Sequence, residues 1–367
     1  MADHDLSRDV YCVLGIPIDV CEIGSVVSDV EKAAATGRPF LISTPNVNFV
    51  VGAQSDFDFR ETLIQSNLCP PDGLPVVWIA RLVGVPIKNR IAGSDLFDAL
   101  KNARIAMSPI KVFLFGGAKG IAAKASRELN AQPCGLYCVG SHYPGFCSVD
   151  QMSLDATINK INSSGADFLV VSLGAKKGQL WLQRNQHRLK IPVRSHLGAV
   201  INFQAGLIRR APPIVRKLGL EWLWRIKEEP ILWKRYLADG AKLFRLLITR
   251  VLPLILWTRW LKLEQGRDNL IIKQIYGDES ITLSLLGSAT ARHADKIASA
   301  FRDATATRRR IVLDFSGTRA IDARFLGLLL MMRKTINGQG LSLTLIGLTR
   351  RLERIFRLNC LEFLLSA

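Results

Sequence analysis

Across residues 1–205 short apolar runs alternate with stretches whose apolar positions recur at helical spacing, and glycine turns separate them. The clearest runs are Phe40–Ser43, Lys111–Phe115, Gly135–Val139 and Asp167–Ser172, each predicted to be a strand. Helical patterns follow at Gly120–Leu129 and Gln179–Leu189. Strands alternating with helices predict an α/β domain with a largely parallel sheet.

The pattern changes at residue 206. Between Gly206 and Glu264 there are thirteen Lys or Arg against five acidic residues, and five of the seven tryptophans. Basic residues mixed with Trp and Leu at helical spacing predict helices that lie in a membrane interface. Leu243–Leu263 is the stretch nearest to a spanning length. Arg245, Arg250 and Arg259 interrupt it, and Pro253 would kink it, so it is predicted to lie on a bilayer rather than cross it. Strand-like patterns return in ITLSLLG, RRIVLDFSG and LSLTLIG, with helices over Ala323–Ile336 and Arg350–Leu358. The polar linker Glu264–Asn269 marks a boundary. Three blocks are therefore expected: 1–205, 206–264 and 268–367. No internal repeat or low-complexity tract is present.

Composition narrows the function classes. The chain of 367 residues is 49% hydrophobic and 22% charged, which excludes a disordered chain. Its net charge of +18 calls for an anionic partner: nucleic acid, phospholipid or a phosphate-bearing substrate. The basic residues sit among Trp and Leu without a nucleic-acid motif, so nucleic acid is not the expected partner. Seven scattered cysteines without a CxxC pair predict reduced, buried thiols, neither disulfides nor zinc ligands. The polar N-terminus does not read as a signal peptide. His142, His187 and His196 lack metal-ligand spacing, and Asp56-Phe57-Asp58 falls in a helical segment, so no metal requirement is expected.

Five motifs can carry chemistry. Thr44–Phe49, TPNVNF, follows a strand, where open α/β sheets place ligands; Pro45 and Asn46 can equally shape a turn. Pro70-Pro71-Asp72-Gly73 is a turn signal whose carboxylate can act as a general base. In Arg90–Leu96, Arg90 can hold a phosphate bidentately, and Ser94 or Asp95 can cap the next helix. In KVFLFGGAKG, Gly116 and Gly117 let backbone approach a phosphate at a helix start. Lys119 is not followed by Ser or Thr, which argues against a kinase or ATPase. Leu173–Trp181 repeats the strand–glycine–helix logic, with Gln179 able to offer an amide to a sugar or base, or simply to start a helix that packs Trp181.

In this order and spacing, TPNVNF, PPDGLPVVWIARLVGVPIKNRIAGSDL, FLFGGAKG, SLGAKKGQLW, GAVINFQAGLIRRAP and LGLEWLWRIKEEP resemble the WecG/TagA/CpsF family of glycosyltransferases, over roughly residues 10–240. The resemblance implies a Rossmann-like, largely parallel α/β domain followed by a basic helical appendage. It implies inverting, metal-independent transfer from a UDP-sugar to a polyprenyl-diphosphate-linked saccharide, in exopolysaccharide or other cell-surface glycan synthesis, with no cofactor. Asp72 matches the proposed base, Thr44 and Asn46 polar residues of its pocket, and Arg90 and Gln179 substrate-binding positions. Arg225 and Arg235 match appendage arginines thought to hold the diphosphate. The expected location is cytoplasmic and peripheral, on the inner face of the cell membrane, against anionic lipid. The chain departs from the family where its usual Pro-Lys-Gln-Glu becomes Lys177-Gly178-Gln179-Leu180, where Leu232 replaces a third appendage arginine, and at Asn202, where an aspartate is common.

The last hundred residues resemble a STAS domain through VLDFSGTRAID, ARFLGLLLMMRK and LSLTLIGLTRRLERIFRL. Regulatory members carry a phosphorylatable Ser or Thr after the Asp; here Asp322 precedes Ala323 and Arg324. The small α/β domain is therefore expected to dock a protein partner, through Arg324 and the RRLER helix. A second reading makes the whole chain a regulator that senses a nucleotide and acts through this domain.

Overall fold

The computed structural model describes residues 5–103, 108–263 and 269–365. The expected linker lies, except for Asn269, outside these residues. The chain forms two compact units. One gathers residues 1–20, 78–88 and 241–367; the other gathers 21–77 and 89–240. The three expected blocks do not coincide with these units. The first twenty residues belong with the C-terminal domain, and the basic segment is shared between units.

The chain opens with an antiparallel hairpin, Val10–Val13 (β1) and Ile16–Asp19 (β2). Leu14 and Gly15 turn it with φ of 49° and 82°, the two-residue geometry that matches strand twist. Every strand residue of the hairpin is buried.

The second unit is built on a five-stranded, fully parallel sheet. Its strands are Phe40–Ile42 (β3), Ile110–Gly116 (β4), Leu136–His142 (β5), Phe168–Ser172 (β6) and Val193–His196 (β7), in the order β3-β7-β6-β4-β5. Alternation along β4 divides the core: Val112 and Leu114 join one cluster, Phe113 and Phe115 the other. Both faces are covered by helices, as a parallel sheet requires. The four expected strands are present. The strand not expected from the sequence is β7, whose Val-Arg-Ser-His looks polar yet is buried at all four positions. Arg194 satisfies itself on the carbonyls of Ile191, Gln186 and Leu189, and burial pulls it down to about 10. The order reverses beside β4, which connects to β5 on one side and lies against β6 on the other. Such a switch point is where open sheets bind ligands, at the carboxyl ends of the strands.

In the other unit, Leu270–Tyr276 (β8) pairs antiparallel with Ser280–Ala289 (β9). Arg310–Asp314 (β10), Thr318–Ile321 (β11) and Leu343–Ile346 (β12) complete this sheet with parallel pairings. The helix Ala323–Gly338 is buried nearly all round, and Gly327 lets the hairpin lie against it: a Cβ there would stand 2.4 Å from the Val10 carbonyl oxygen. Such a helix needs partners on both sides.

The helix Trp233–Leu246 leads through a wide π turn, Leu247–Val251, into Leu252–Leu263. The interruption expected at Pro253 is this turn, just ahead of the proline. Among the described residues no helix is long and apolar enough to cross a membrane.

Candidate active site

Three loops at one end of the parallel sheet are laced together by backbone hydrogen bonds. The Ser43 amide donates to Leu68 O (3.0 Å), which aligns the segment before Pro70 with the end of β3. The Asp72 amide donates to Pro45 O (2.9 Å), and the Ile91 amide to Pro71 O (2.8 Å). TPN, PPDG and RIAG, far apart in sequence, therefore form one surface. Gly73 takes φ +90°, the turn that the Asp-Gly pair signalled. A Cβ on Gly93 would meet Leu197 at 2.7 Å and the Thr44 hydroxyl at 3.2 Å, so the third loop is pressed against the first.

Asp72 is mostly withdrawn from solvent, and its carboxyl is pushed up to about 7. Desolvation is the main cause; Arg90 opposes it, Glu221 and Asp95 add to it, and the Gly93 amide favours the charged form. Arg90 is held by the Glu221 carboxylate and lies 3.8 Å from Asp95. Burial works against the Arg90 charge, but Glu221, Asp95 and Asp72 outweigh it and raise its pKa. The result is a carboxyl poised near neutrality beside a fixed cation.

Thr44 is buried next to this group. Asn46 caps the helix Val47–Ser55, its side-chain oxygen accepting from Asn48 N (3.0 Å) and Phe49 N (3.4 Å). Gln179 is wholly buried. Its Nε2 donates to Ser43 Oγ (2.9 Å), and its Oε1 has no partner among the described residues. It supports the Ser43-Thr44 strand end from within the fold. The preceding Gly178 is small because His196 lies against it; a Cβ would stand 2.2 Å from that ring. Gly116 and Gly117 lie at the switch point. Gly116 has φ +111°, and a Cβ on it would fall 2.3 Å from Ser172 O. Close approach of β4 to β6 is thus one reason for the glycine, independent of any phosphate.

The appendage adds a second layer of charge. Asp95 receives Arg210 and, at 3.3 Å, Arg216; Arg210 also reaches Asp98 and Ser94. Arg225 pairs with Glu229 and lies 5.6 Å over the Phe203 ring. The Nε atoms of Arg210, Arg216 and Arg225 are buried with no partner among the described residues. Each is a donor whose hydrogen-bonding capacity is unused. Arg235 is exposed and lies 5.3 Å over Tyr236, not within the knot. Sequence reasoning missed Glu221, Asp98, Arg210 and Arg216, because their partners lie more than a hundred residues away. Asp56 caps the helix Phe57–Ile64 and pairs with Lys176, which accounts for the first carboxylate of Asp56-Phe57-Asp58. Among the described residues no three His, Cys, Asp or Glu side chains gather as metal ligands.

Residues 11–254 match the model of the glycosyl transferase WecG/TagA/CpsF family, and residues 276–365 match the Mlab, STAS domain model. Among similar proteins is an N-acetylglucosaminyldiphosphoundecaprenol N-acetyl-beta-D-mannosaminyltransferase of Bacillus spizizenii, 28% identical over 59% of this chain and 82% of its own length. Proteins of the same name from Bacillus subtilis and Staphylococcus aureus are 28% and 26% identical, over 54% and 61% of this chain and 75% and 85% of theirs. The laced loops around Asp72 and the parallel sheet that carries them lie within the matched span, and the chain belongs to the WecG/TagA/CpsF family of glycosyltransferases, with a STAS domain following.

Proposed function

We propose that this enzyme transfers a sugar from a UDP-sugar to a polyprenyl-diphosphate-linked saccharide at the cytoplasmic face of the membrane, in cell-surface glycan synthesis such as that of an exopolysaccharide. The observation that carries this reading is the meeting of Thr44, Asp72 and Arg90 on one surface, with Asp72 poised near neutrality. The relatives' names supply the acceptor class.

In the proposed step, the Asp72 carboxylate takes the proton from an acceptor hydroxyl as that oxygen attacks the anomeric carbon. The bond from this carbon to the UDP oxygen breaks, UDP leaves with the electron pair, and the configuration inverts. A base with a pKa near the working pH is best matched to this task. Arg90 stands beside the reacting groups as an electrostatic anchor. Thr44 and the amide of Asn46 line the pocket. Gly116 and Gly117, ahead of the helix Ile121–Asn130, offer backbone to the UDP diphosphate. Arg225 and Arg235 receive the acceptor diphosphate. Gln179 acts through Ser43 as a positioning residue. With these cations available, transfer is proposed to need no metal.

The lipid acceptor calls for membrane residence. The exposed residues Phe244, Ile248, Leu252 and Leu256 form an apolar row on the appendage, with Lys242, Arg245 and Arg259 near it. Each such cation near an anionic leaflet contributes on the order of 1 kcal/mol.

The test is a donor screen with the full chain in detergent and a synthetic prenyl-diphospho-sugar acceptor. Transfer is expected from a UDP-sugar and is expected to survive EDTA. Asp72→Asn is expected to lower kcat by about 10²-fold or more. Wild-type turnover in that variant would overturn the assignment of the base, and no transfer from any UDP-sugar would overturn the reaction.

A further inference from the structure

We infer that the STAS domain works in cis: its partner is this chain's own amphipathic helix, Leu252–Leu263, which it clamps in one rotational setting. The two features that read as contacts for a foreign protein, Arg324 and the RRLER helix, are both engaged by the chain itself. Arg351 of that helix lies over the rings of Trp257 (4.7 Å) and Trp260 (3.8 Å), which stack on each other at 4.7 Å. The Trp257 indole N–H donates to Ile321 O (3.0 Å), at the end of β11. Just before the helix, Arg250 pairs with Glu362 (2.9 Å) and donates to Arg357 O. In a cavity that Tyr11, Leu254, Trp257 and Ile355 also line, Arg324 donates to the carbonyls of Arg8 and Val10 (both 2.8 Å) and lies over the Tyr11 ring.

These contacts fix which face of the helix is hidden. Val251 and Leu254 are 1% and 4% exposed, whereas Leu252 and Leu256 are 53% and 61% exposed. The π turn Leu247–Val251 takes in an extra residue, so Phe244, Ile248, Leu252 and Leu256, each four apart, stay in one row. The helix runs on from Trp233–Leu246 through the π turn, so its own backbone does not choose which face turns inward. Unclamped, it would offer Leu254, Trp257 and Trp260 to an apolar surface as readily as Leu252 and Leu256. The clamp removes that choice. Arg351 is suited to the task because a guanidinium stacks flat on indole and remains charged, which an ammonium cannot reproduce. That the outward row meets lipid rests on the proposed function; that the helix is clamped does not.

Hydrogen exchange on the full chain tests the clamp. Without lipid, amides of residues 252–263 are expected to be protected in the wild type. In Arg351→Ala and in Glu362→Gln, both changes at the domain surface, they are expected to exchange about tenfold faster, while β4 and β6 are unchanged. Arg351→Lys is expected to fall between. Vesicles of equal phosphatidylglycerol and phosphatidylcholine are expected to restore protection to Arg351→Ala. Fast exchange of 252–263 in the wild type without lipid, or wild-type protection in both variants, would overturn the clamp. If the wild type is protected but does not sediment with these vesicles, the clamp stands and the membrane reading fails.

Discussion

At the residue scale the central group is Asp72, and its surroundings make two pH predictions. As the proposed base it would act when ionised, so kcat/KM is expected to rise with pH through about 7, the position to which burial has moved it. Glu221 pushes in the same direction, so Glu221→Gln is expected to shift this limb to lower pH and to loosen Arg90, read from a rate–pH profile. Stability follows the opposite sense. Between the ordinary carboxylate value of 3.8 and about 7, the folded chain holds a proton at Asp72 that the unfolded chain has released. Native binding of more protons means that stability from this group falls as pH rises through that window, and above it the cost is complete. Asp72→Asn is therefore expected to melt higher than the wild type at pH 8, with the gain shrinking towards pH 4. A lower melting temperature at pH 8 would contradict the electrostatic account. Thr44, Asp72 and Arg90 stood out as candidates in the sequence because each sits in a local motif of recognisable order, and the structure brings the loops that carry them together. Glu221 did not stand out, since nothing local distinguishes it from the other charges of its helix, and its meaning comes from Arg90, 131 residues away.

At the element scale, the glycines at the end of β4 and in the turn after it separate two roles that look the same in the sequence. Gly116 has φ +111° and no room, whereas Gly120 has φ +81° and nothing within 4 Å of the place a Cβ would occupy. Gly120→Ala meets only backbone strain, about 1 kcal/mol. Gly116→Ala adds a collision with Ser172 O and is expected to cost about 2 kcal/mol or more. Thermal melts of the two variants are expected to keep that order; equal losses would mean that β4 and β6 do not approach so closely. The same scale explains β7. A buried central strand is expected to read as an apolar run, and Arg194-Ser195-His196 does not. Each of these side chains instead ends on a backbone carbonyl: Arg194 as described, Ser195 on Ile42 O at 2.8 Å, and His196 on Leu173 O at 2.6 Å, with burial holding its imidazole pKa down. Polar residues are admitted because each donor finds an acceptor, a pairing that no pattern of hydrophobicity records.

At the scale of the whole molecule, chain order misleads about which parts fold together. The block 268–367 reads as a self-sufficient domain, but the helix Ala323–Gly338 at its centre is buried on the side that the N-terminal hairpin covers. Leu6, Val10, Cys12, Leu14, Ile16 and Ile18 are at most 1% exposed. A Cβ on Gly15 would lie 2.8 Å from Cys360 O, so the hairpin turn is seated on the C-terminal segment as well. Arg8 joins Asp19 (2.7 Å) and Asp5 (3.2 Å), and Asp5 receives Lys334 from the helix (2.9 Å). Removing the hairpin would expose apolar helix surface and strand these charges, two of the costliest changes a fold can suffer. A fragment of residues 268–367 is thus expected to bind a hydrophobic dye and to melt broadly, while the full chain does neither. Gly327→Leu in the full chain should imitate the fragment, because the larger side chain would drive the hairpin off the helix. If the fragment instead melts as sharply as the full chain, the hairpin is a passenger and the boundary read from the sequence is the true folding boundary.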